Sequence, residues 1–206
     1  ESARSLPALA SQYAGFAAWQ SEWLPSVLED QLAYWRSVLG EGGPAALDVP
    51  TDFVRPKVQS LRGASVAFEV SALDTRKVHE ASKQAGATLY VGLLTAFGMV
   101  LSRNSRQETV CVGSPYAGRD DVTTRDLVGY FVNMLALNID SSPLNVGFKA
   151  LAGAREIVLG AFDHAAIPVF RIVDALGVSR DPSRTPLYQV VMSLNDGGYV
   201  VGRGND

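Results

Sequence analysis

Apolar residues recur at spacings of three and four over the first third of the chain, which is the spacing of one helix face. The pattern predicts a helical stretch over about 13–39, with five large side chains on its buried side: Leu24, Leu28, Leu32, Trp35 and Leu39. Pro25 lies inside this stretch. Because proline lacks the backbone N–H and clashes with the preceding turn, we expect it to divide the stretch into two helices or to start the second.

Two further helices are predicted in succession at 72–85 and 89–103. Ser71 followed by Asp74 resembles a capping box for the first, and Thr88 can cap the second. The second helix is apolar on most of its surface and is interrupted by two glycines. It is too short to span a bilayer, so we expect a buried helix and no membrane segment.

Strand signals alternate with these helices. Four segments show either period-two alternation or a short apolar run, as strands do: 63–70, 109–115, 134–140 and 187–194. A helix is predicted over 148–162, with Phe148, Leu151, Ala152, Arg155, Leu159 and Phe162 on one side, and a short helix from Pro168 to Leu176. Strands alternating with helices predict an α/β architecture, a mixed β-sheet flanked by helices.

Composition excludes several classes of protein. Net charge is −3 and the pI is about 5.4, so the chain lacks the clustered basic residues of a nucleic-acid-binding protein. Its single cysteine, Cys111, lies in an apolar run and is expected to be an inert buried thiol. The first residues do not form a secretory signal. We expect a soluble, cytoplasmic protein.

Candidate chemistry is sparse. His79 lies in a charged helix and is expected to be a surface or boundary residue. His164 lies at the end of a helix, and this position indicates a capping role. No cysteine or carboxylate cluster has metal-ligand spacing, and no phosphate-binding glycine loop is present. Ser114 has no assignable base partner. From the residues alone, no catalytic constellation is complete, and two loops look functional within an α/β domain.

Six segments, taken in order, resemble the motifs of nonribosomal peptide synthetase condensation domains. Residues 12–24, continued at 31–39, resemble the family's Tyr-Ala-x-Tyr-Ala-x-Trp-Gln helix, and 49–63 resembles its Pro-Thr-Asp crossing segment. Residues 112–119 resemble its Gly-x-Pro-Val-Ala-Gly-Arg strand end, and 127–137 its Phe-Val-Asn motif. Two later segments, 163–176 and 180–195, match further motifs of the family. The resemblance covers residues 12–195. Departures include Tyr116 for the family's valine and Met134 for its threonine.

The resemblance implies a fold and a domain division. Condensation domains resemble chloramphenicol acetyltransferase, with two similar α/β halves forming a V around a tunnel. On this reading residues 1–62 are a helical and extended connecting segment that follows the N-terminal subdomain. Residues 63–206 are part of the C-terminal subdomain. The family's His-His-x-x-x-Asp-Gly motif does not occur in this sequence, so no catalytic residue is assigned.

The resemblance also implies an activity and partners. Condensation domains join a donor acyl or peptidyl thioester to an acceptor aminoacyl thioester, each delivered on the phosphopantetheine arm of a carrier protein. The expected partners are the N-terminal half of the domain, carrier protein domains and an adenylation domain. No covalently bound cofactor is expected. This chain alone is expected to be inactive and, with an apolar face uncovered, to self-associate.

The same resemblance implies tunnel or anchor positions for five residues, which are Ser114, Gly118, Arg119, Tyr130 and Asn133. For Arg119 and Asn133, a hydrogen-bonded network that only holds the loops is an equal alternative. Two other functions stay open for the chain as a whole. One is a non-catalytic module that binds a carrier protein or another partner, and the other is a fragment of a related ester-forming acyltransferase.

Overall fold

A computed structural model describes residue 9 and residues 11–60, 62–142 and 145–195. Within these residues the α-helices are α1 Tyr13–Leu39, α2 Ala72–Gln84, α3 Leu89–Ser105, α4 Phe148–Asp163 and α5 Val169–Ala175. The strands are β1 Thr109–Tyr116, β2 Asn133–Asp140 and β3 Val190–Val191, and a 3-10 turn spans Val122–Thr124.

The strands form one mixed sheet in the order β2-β1-β3. Strand β1 is antiparallel to β2, with Val112 opposite Leu137, and parallel to β3, with Val112 opposite Val190. Helices α3, α4 and α5 pack against β2, and α2 packs on α3. The predicted α/β architecture with a mixed sheet flanked by helices is therefore confirmed.

Helix α1 is continuous through Pro25, so the predicted break is wrong. Pro25 faces solvent, where water can bond the helix carbonyl that the missing N–H leaves free. At the next residue, the Ser26 hydroxyl donates to the Trp23 carbonyl at 2.6 Å. A proline on the solvent side of a helix therefore costs one backbone hydrogen bond without breaking the rod.

The second half of α1 packs into the core along the predicted face. Leu32, Trp35 and Leu39 are buried, and Leu24 and Leu28 are partly buried against the same cluster. Polar contacts fix the helix at two points: the Trp35 indole donates to the His164 carbonyl at 3.0 Å, and Asn138 donates to the Val38 carbonyl at 3.0 Å. One core thus includes residues from both sides of position 62, and the predicted subdomain division there stays a prediction.

Both predicted helix caps are confirmed. The Ser71 hydroxyl accepts from the Asp74 N–H at 3.1 Å, and the Thr88 hydroxyl accepts from the Val91 N–H at 3.3 Å. Helix α3 runs to Ser105 and ends at Arg106, a non-glycine residue with a left-handed φ of 59°.

The predicted strand at 63–70 is wrong for the residues described. They form no strand there, and they expose Val66 (88%) and Phe68 (84%). Alternation of apolar and polar residues indicates which face of a strand is apolar. It does not indicate whether a neighbouring strand is available to form backbone hydrogen bonds. This apolar segment therefore lies open on the surface of the structure.

Two other expectations need correction. In α4 the buried residues are small and β-branched ones, Ala150, Ala154, Val158 and Ala161, whereas the predicted large side chains Phe148, Leu159 and Phe162 are exposed. Within the predicted strand 187–194 only Val190–Val191 forms a strand. Leu187, at the start of the predicted segment, has a left-handed φ of 65° that a strand does not adopt.

Of the helices described, none is both long and apolar enough to cross a membrane alone. Helices α2 and α3 pass that length and composition test only as a pair, bent by 108°.

Candidate functional site

A groove of about 770 Å³ lies where three segments of the chain meet. The connection from β1 to β2 forms one side, the first half of α1 forms another, and the link between α4 and α5 closes the end. The lining includes four aromatic side chains and two of the residues that the sequence predicted for a site: Phe16, Trp19, Trp23, Phe131, Gly118 and Asn133. Residues from the segment 116–133, which connects β1 to β2, therefore form one wall of the groove.

Arg119 braces this wall from behind. Its guanidinium donates to the carbonyls of Thr124 and Leu127, the latter at 2.9 Å, with longer contacts to Arg125 at 3.3 Å and Gly129 at 3.5 Å. The same group lies 4.2 Å from the centre of the Phe131 ring. The guanidinium of Arg119 thus donates hydrogen bonds to carbonyls along the loop and also stacks on an aromatic ring. The ammonium group of lysine cannot reproduce this geometry.

Gly118 is required by the close approach of two backbone segments. Its φ is +65°, and a Cβ at this position would lie 2.2 Å from the Phe131 carbonyl oxygen. Gly129 is similarly crowded, because a Cβ there would meet the ring of Tyr13 at 2.2 Å. The Tyr13 hydroxyl donates to the Tyr130 carbonyl at 2.9 Å. The first turn of α1 is thereby fastened to the loop.

Aromatic rings continue along the helical side of the groove. Trp19 and Trp23 stack with centroids 5.1 Å apart and an interplanar angle of 11°. Phe16 lies 5.7 Å from Trp19 and 4.7 Å from Phe131, centroid to centroid. Sequence reasoning had not assigned this α1 stripe to a site. The spacing of its members, at positions 13, 16, 19 and 23, was the available signal.

Three acidic residues also line the groove. The Tyr116 hydroxyl donates to Asp120, and burial followed by this contact raises the pKa of Tyr116 above its ordinary value. Asp121 accepts from the Thr123 hydroxyl at 2.6 Å and from the Thr123 N–H at 2.7 Å, which lowers the pKa of its carboxyl. Asp163 at the end of α4 is a third carboxylate on the groove.

Asn133 lies at the closed end of the groove, and its amide is fully engaged. The amide nitrogen donates to the carbonyls of Ala165 at 3.0 Å and Ile167 at 2.7 Å. Its oxygen accepts from Met134 N–H at 2.9 Å and Val169 N–H at 3.2 Å. This geometry is that of a residue holding the α4–α5 link, which supports the network interpretation of Asn133 over direct ligand contact.

The other predicted positions fall in different surroundings. Ser114 is buried in β1, where its oxygen accepts from the Tyr90 hydroxyl at 2.7 Å, and it does not line the groove. Tyr130 lines the groove and is 74% exposed. The structure therefore brings Gly118, Tyr130 and Asn133 to the groove and puts Arg119 beneath its wall. Functional roles for these residues remain predictions.

The two histidines and the cysteine lie in structural positions. His79 is exposed on α2. His164 caps α4 with a ring nitrogen 2.7 Å from the Gly160 carbonyl, and its ring stacks on Tyr34 at 3.9 Å. Burial raises the pKa of Cys111 to about 12, as expected of an inert thiol. No group of three or more metal-ligating side chains occurs in the part of the chain that the structure describes.

The fold and site define a class of protein: an α/β domain with a mixed sheet, whose first strand connection forms the wall of a groove. The sequence profile of the family described as the condensation domain matches residues 1–199, and this chain belongs to that family.

Curated relatives agree with this assignment. The chain is 38% identical to tyrocidine synthase 3 of Brevibacillus parabrevis over 192 residues, which is 93% of this chain and 3% of that protein. It is 39% identical to malpinin synthetase of Mortierella alpina over 189 residues, or 91% of this chain and 2% of that protein. The chain therefore spans a small fraction of these relatives.

A solved structure of similar fold is the X-domain from teicoplanin biosynthesis in complex with OxyB. It matches with a TM-score of 0.83 and 26% identity, over 91% of this chain and 42% of that chain. A four-domain nonribosomal peptide synthetase bound to AMP and glycine matches with a TM-score of 0.76 and 27% identity, over 80% of this chain and 12% of that chain. These neighbours confirm the predicted condensation-domain, chloramphenicol acetyltransferase-like fold.

Proposed function

We propose that this chain is part of a condensation domain that forms peptide bonds in a nonribosomal peptide synthetase. Donor acyl or peptidyl thioester and acceptor aminoacyl thioester would each arrive on the phosphopantetheine arm of a carrier protein. The acceptor amine would attack the donor carbonyl, forming the amide and releasing the donor thiol. The observation that carries the proposal is the condensation-domain match over residues 1–199, with peptide synthetases among the relatives.

In this proposal the chain supplies substrate positioning, and the general base or amine-positioning group comes from the N-terminal half of the domain. The two histidines of the sequence are 85 positions apart, and both lie outside the groove. Joining two tethered substrates depends strongly on alignment, and alignment alone can supply about 7–11 kcal/mol of a reaction barrier. The braced loop and the aromatic stripe are suited to that task.

A reconstitution experiment tests the proposal. Carrier proteins loaded with donor and acceptor aminoacyl groups are mixed with this chain alone, or with this chain and the N-terminal half encoded with it. Mass spectrometry of the acceptor carrier reads out dipeptidyl product. We expect product only with both halves. Product formed by this chain alone would refute the claim that the N-terminal half supplies the general base or amine-positioning group. Absence of product with both halves would refute the proposed condensation activity.

A second candidate is a partner-binding module without condensation activity. It is supported by the similarity to the X-domain, which was solved in complex with OxyB. The coding sequence upstream of Tyr13 distinguishes these two functions. A His-His-x-x-x-Asp-Gly motif there agrees with catalysis, and its absence favours the binding module.

The remaining partners and location follow from the same proposal. In a multidomain synthetase, an adenylation domain would load the carrier that serves this domain, and the whole assembly would work in the cytoplasm. Co-purification of the native synthetase as a single multidomain polypeptide from the soluble cell fraction is the expected observation.

A further inference from the structure

The groove combines aromatic walls with negative charge. Three carboxylates line it, those of Asp120, Asp121 and Asp163, and among the residues that the structure describes no lysine, arginine or histidine does so. Two cations lie beside rings of the lining. The Arg171 guanidinium is 5.7 Å from the centre of the Phe170 ring, and Arg119 lies against Phe131 with its guanidinium bonded to loop carbonyls. Its donors are therefore directed into the loop and its charge is partly offset by those carbonyl oxygens.

The walls have the chemistry of cation recognition. The faces of aromatic rings carry negative potential and attract ammonium or guanidinium groups, most strongly when the ring is tryptophan. Trp19 is 52% exposed and stacks on Trp23, so ring surface remains open to the groove. The Tyr116 hydroxyl donates to Asp120 and thereby fixes that carboxylate on the groove wall.

Other ligand types fit these walls less well. An anionic ligand would meet three carboxylates without a described cation on the lining to offset them. A neutral apolar ligand would use the rings but would draw water from the carboxylates without replacing it by an opposite charge. A volume of about 770 Å³ is within the range of small-molecule sites.

We propose that this groove binds an organic cation, an ammonium or guanidinium group carried on an apolar body. The carboxylates of Asp120 and Asp163 contact the charge, and the rings of Trp19 and Trp23 contact the apolar body. The further step, that this cation is the amine or basic side chain of an aminoacyl substrate, rests on the proposed function.

The test compares three probes of similar shape on this chain: 2-phenylethylammonium, 2-phenylethanol and 3-phenylpropionate. Indole N–H signals of the tryptophans, followed by NMR during titration, report where each probe binds. We expect the ammonium to bind about tenfold more tightly than the alcohol, since cation–π and charge contacts together are worth about one factor of ten. The signals of Trp19 and Trp23 should shift, whereas that of the fully buried Trp35 should not.

Matched variants locate the charge. Asp120→Asn combined with Asp163→Asn keeps side-chain size and one accepting oxygen at each position, and it should abolish the preference for the ammonium. Asp52→Asn combined with Asp126→Asn removes the same number of charges from exposed residues that do not line the groove, and it should leave the preference unchanged. Retained melting behaviour of each variant shows that the comparison is made on folded protein.

Three outcomes would overturn the proposal: equal affinity for the ammonium and the alcohol, an undiminished preference in the double variant, or shifts confined to Trp35. All of these are measured without carrier proteins or the N-terminal half. Loss of condensation in the reconstitution experiment would leave cation binding standing, and loss of cation binding would leave the condensation result standing.

Discussion

Replacing Arg119 by alanine should loosen the groove wall more than any other single change in the loop. The substitution removes the donors to the Thr124 and Leu127 carbonyls, the weaker contacts to Arg125 and Gly129, and the stacking on Phe131. The wall would then depend on the Thr124 and Leu127 turn bonds and the contact from Tyr13.

The magnitude follows from these contacts. Hydrogen bonds from a charged donor are worth about 1.5–3 kcal/mol each when buried, and stacking adds about 0.5–1 kcal/mol. Because Arg119 is only partly buried, solvent recovers much of this, and we expect a loss of about 3 kcal/mol in the free energy of unfolding. For a chain of this size that corresponds to a melting point lower by about 6–12 °C. Arg119→Lys keeps the positive charge without the planar guanidinium, and it should lower the free energy of unfolding by about half as much as Arg119→Ala.

Thermal and urea unfolding followed by circular dichroism measures the loss, and amide hydrogen exchange over 120–132 shows whether it is local. Arg125→Ala is the matched control, because that side chain is exposed and makes no hydrogen bond or ion pair in the described structure; it should change stability by less than about 0.5 kcal/mol. If Arg119→Ala unfolds at the same urea concentration and temperature as Arg125→Ala, with unchanged exchange in the loop, the bracing role is wrong.

Three further substitutions or reactions test separate features. Gly118→Ala should destabilise the chain by about 2 kcal/mol or more, because its Cβ would overlap the Phe131 carbonyl at a positive φ; unchanged urea unfolding would contradict this. Arg106→Gly should raise the free energy of unfolding by roughly 0.5–1 kcal/mol, since glycine adopts the left-handed conformation freely; a lower melting point would show that the arginine side chain makes a stabilising contact. Cys111, with a pKa of about 12, should resist iodoacetamide at pH 8 in the folded chain and react in denaturant, as mass spectrometry will show; rapid alkylation of folded protein would contradict its burial.

The sequence predicted well those elements whose local signals and burial agree. Helix α3 has an apolar run with a threonine at its start, and Thr88 caps it as expected. Strands β1 and β2 were foreseen because both are buried runs bounded by turn residues. In each case local preference and tertiary packing favour the same structure.

The errors arose where packing overrides the local pattern. Pro25 breaks a helix by propensity, but its solvent-facing position leaves the freed carbonyl to water. In α4, hydrophobicity favoured the large residues as the buried side, whereas alanines allow the closer approach to β2 and α3. The alternation at 63–70 identified apolar residues correctly and could not show that no described strand pairs with them.

The site was predictable in part. The loop motifs directed attention to Gly118, Arg119 and Asn133, and all three lie at or directly behind the groove. Which carbonyls Arg119 bonds depends on the loop path, which single residues do not specify. The aromatic stripe of α1 was missed because it is more than 90 positions from the loop in sequence and meets it only in the folded chain.

The uninterrupted helix α1 connects the core of the protein to the aromatic wall of the groove. The second half of the helix is fixed in the core, and its first half carries the aromatic wall from Tyr13 to Trp23. At about 1.5 Å per residue, the rod extends about 18 Å from Pro25 back to Tyr13, so a bend of about 10° at Pro25 displaces that end by about 3 Å. The Tyr13 hydroxyl bond to the Tyr130 carbonyl and the packing of Phe16 on Phe131 hold that end against the loop, so such a bend would have to break these contacts. The continuous helix and these contacts together keep the two walls of the groove at a fixed separation.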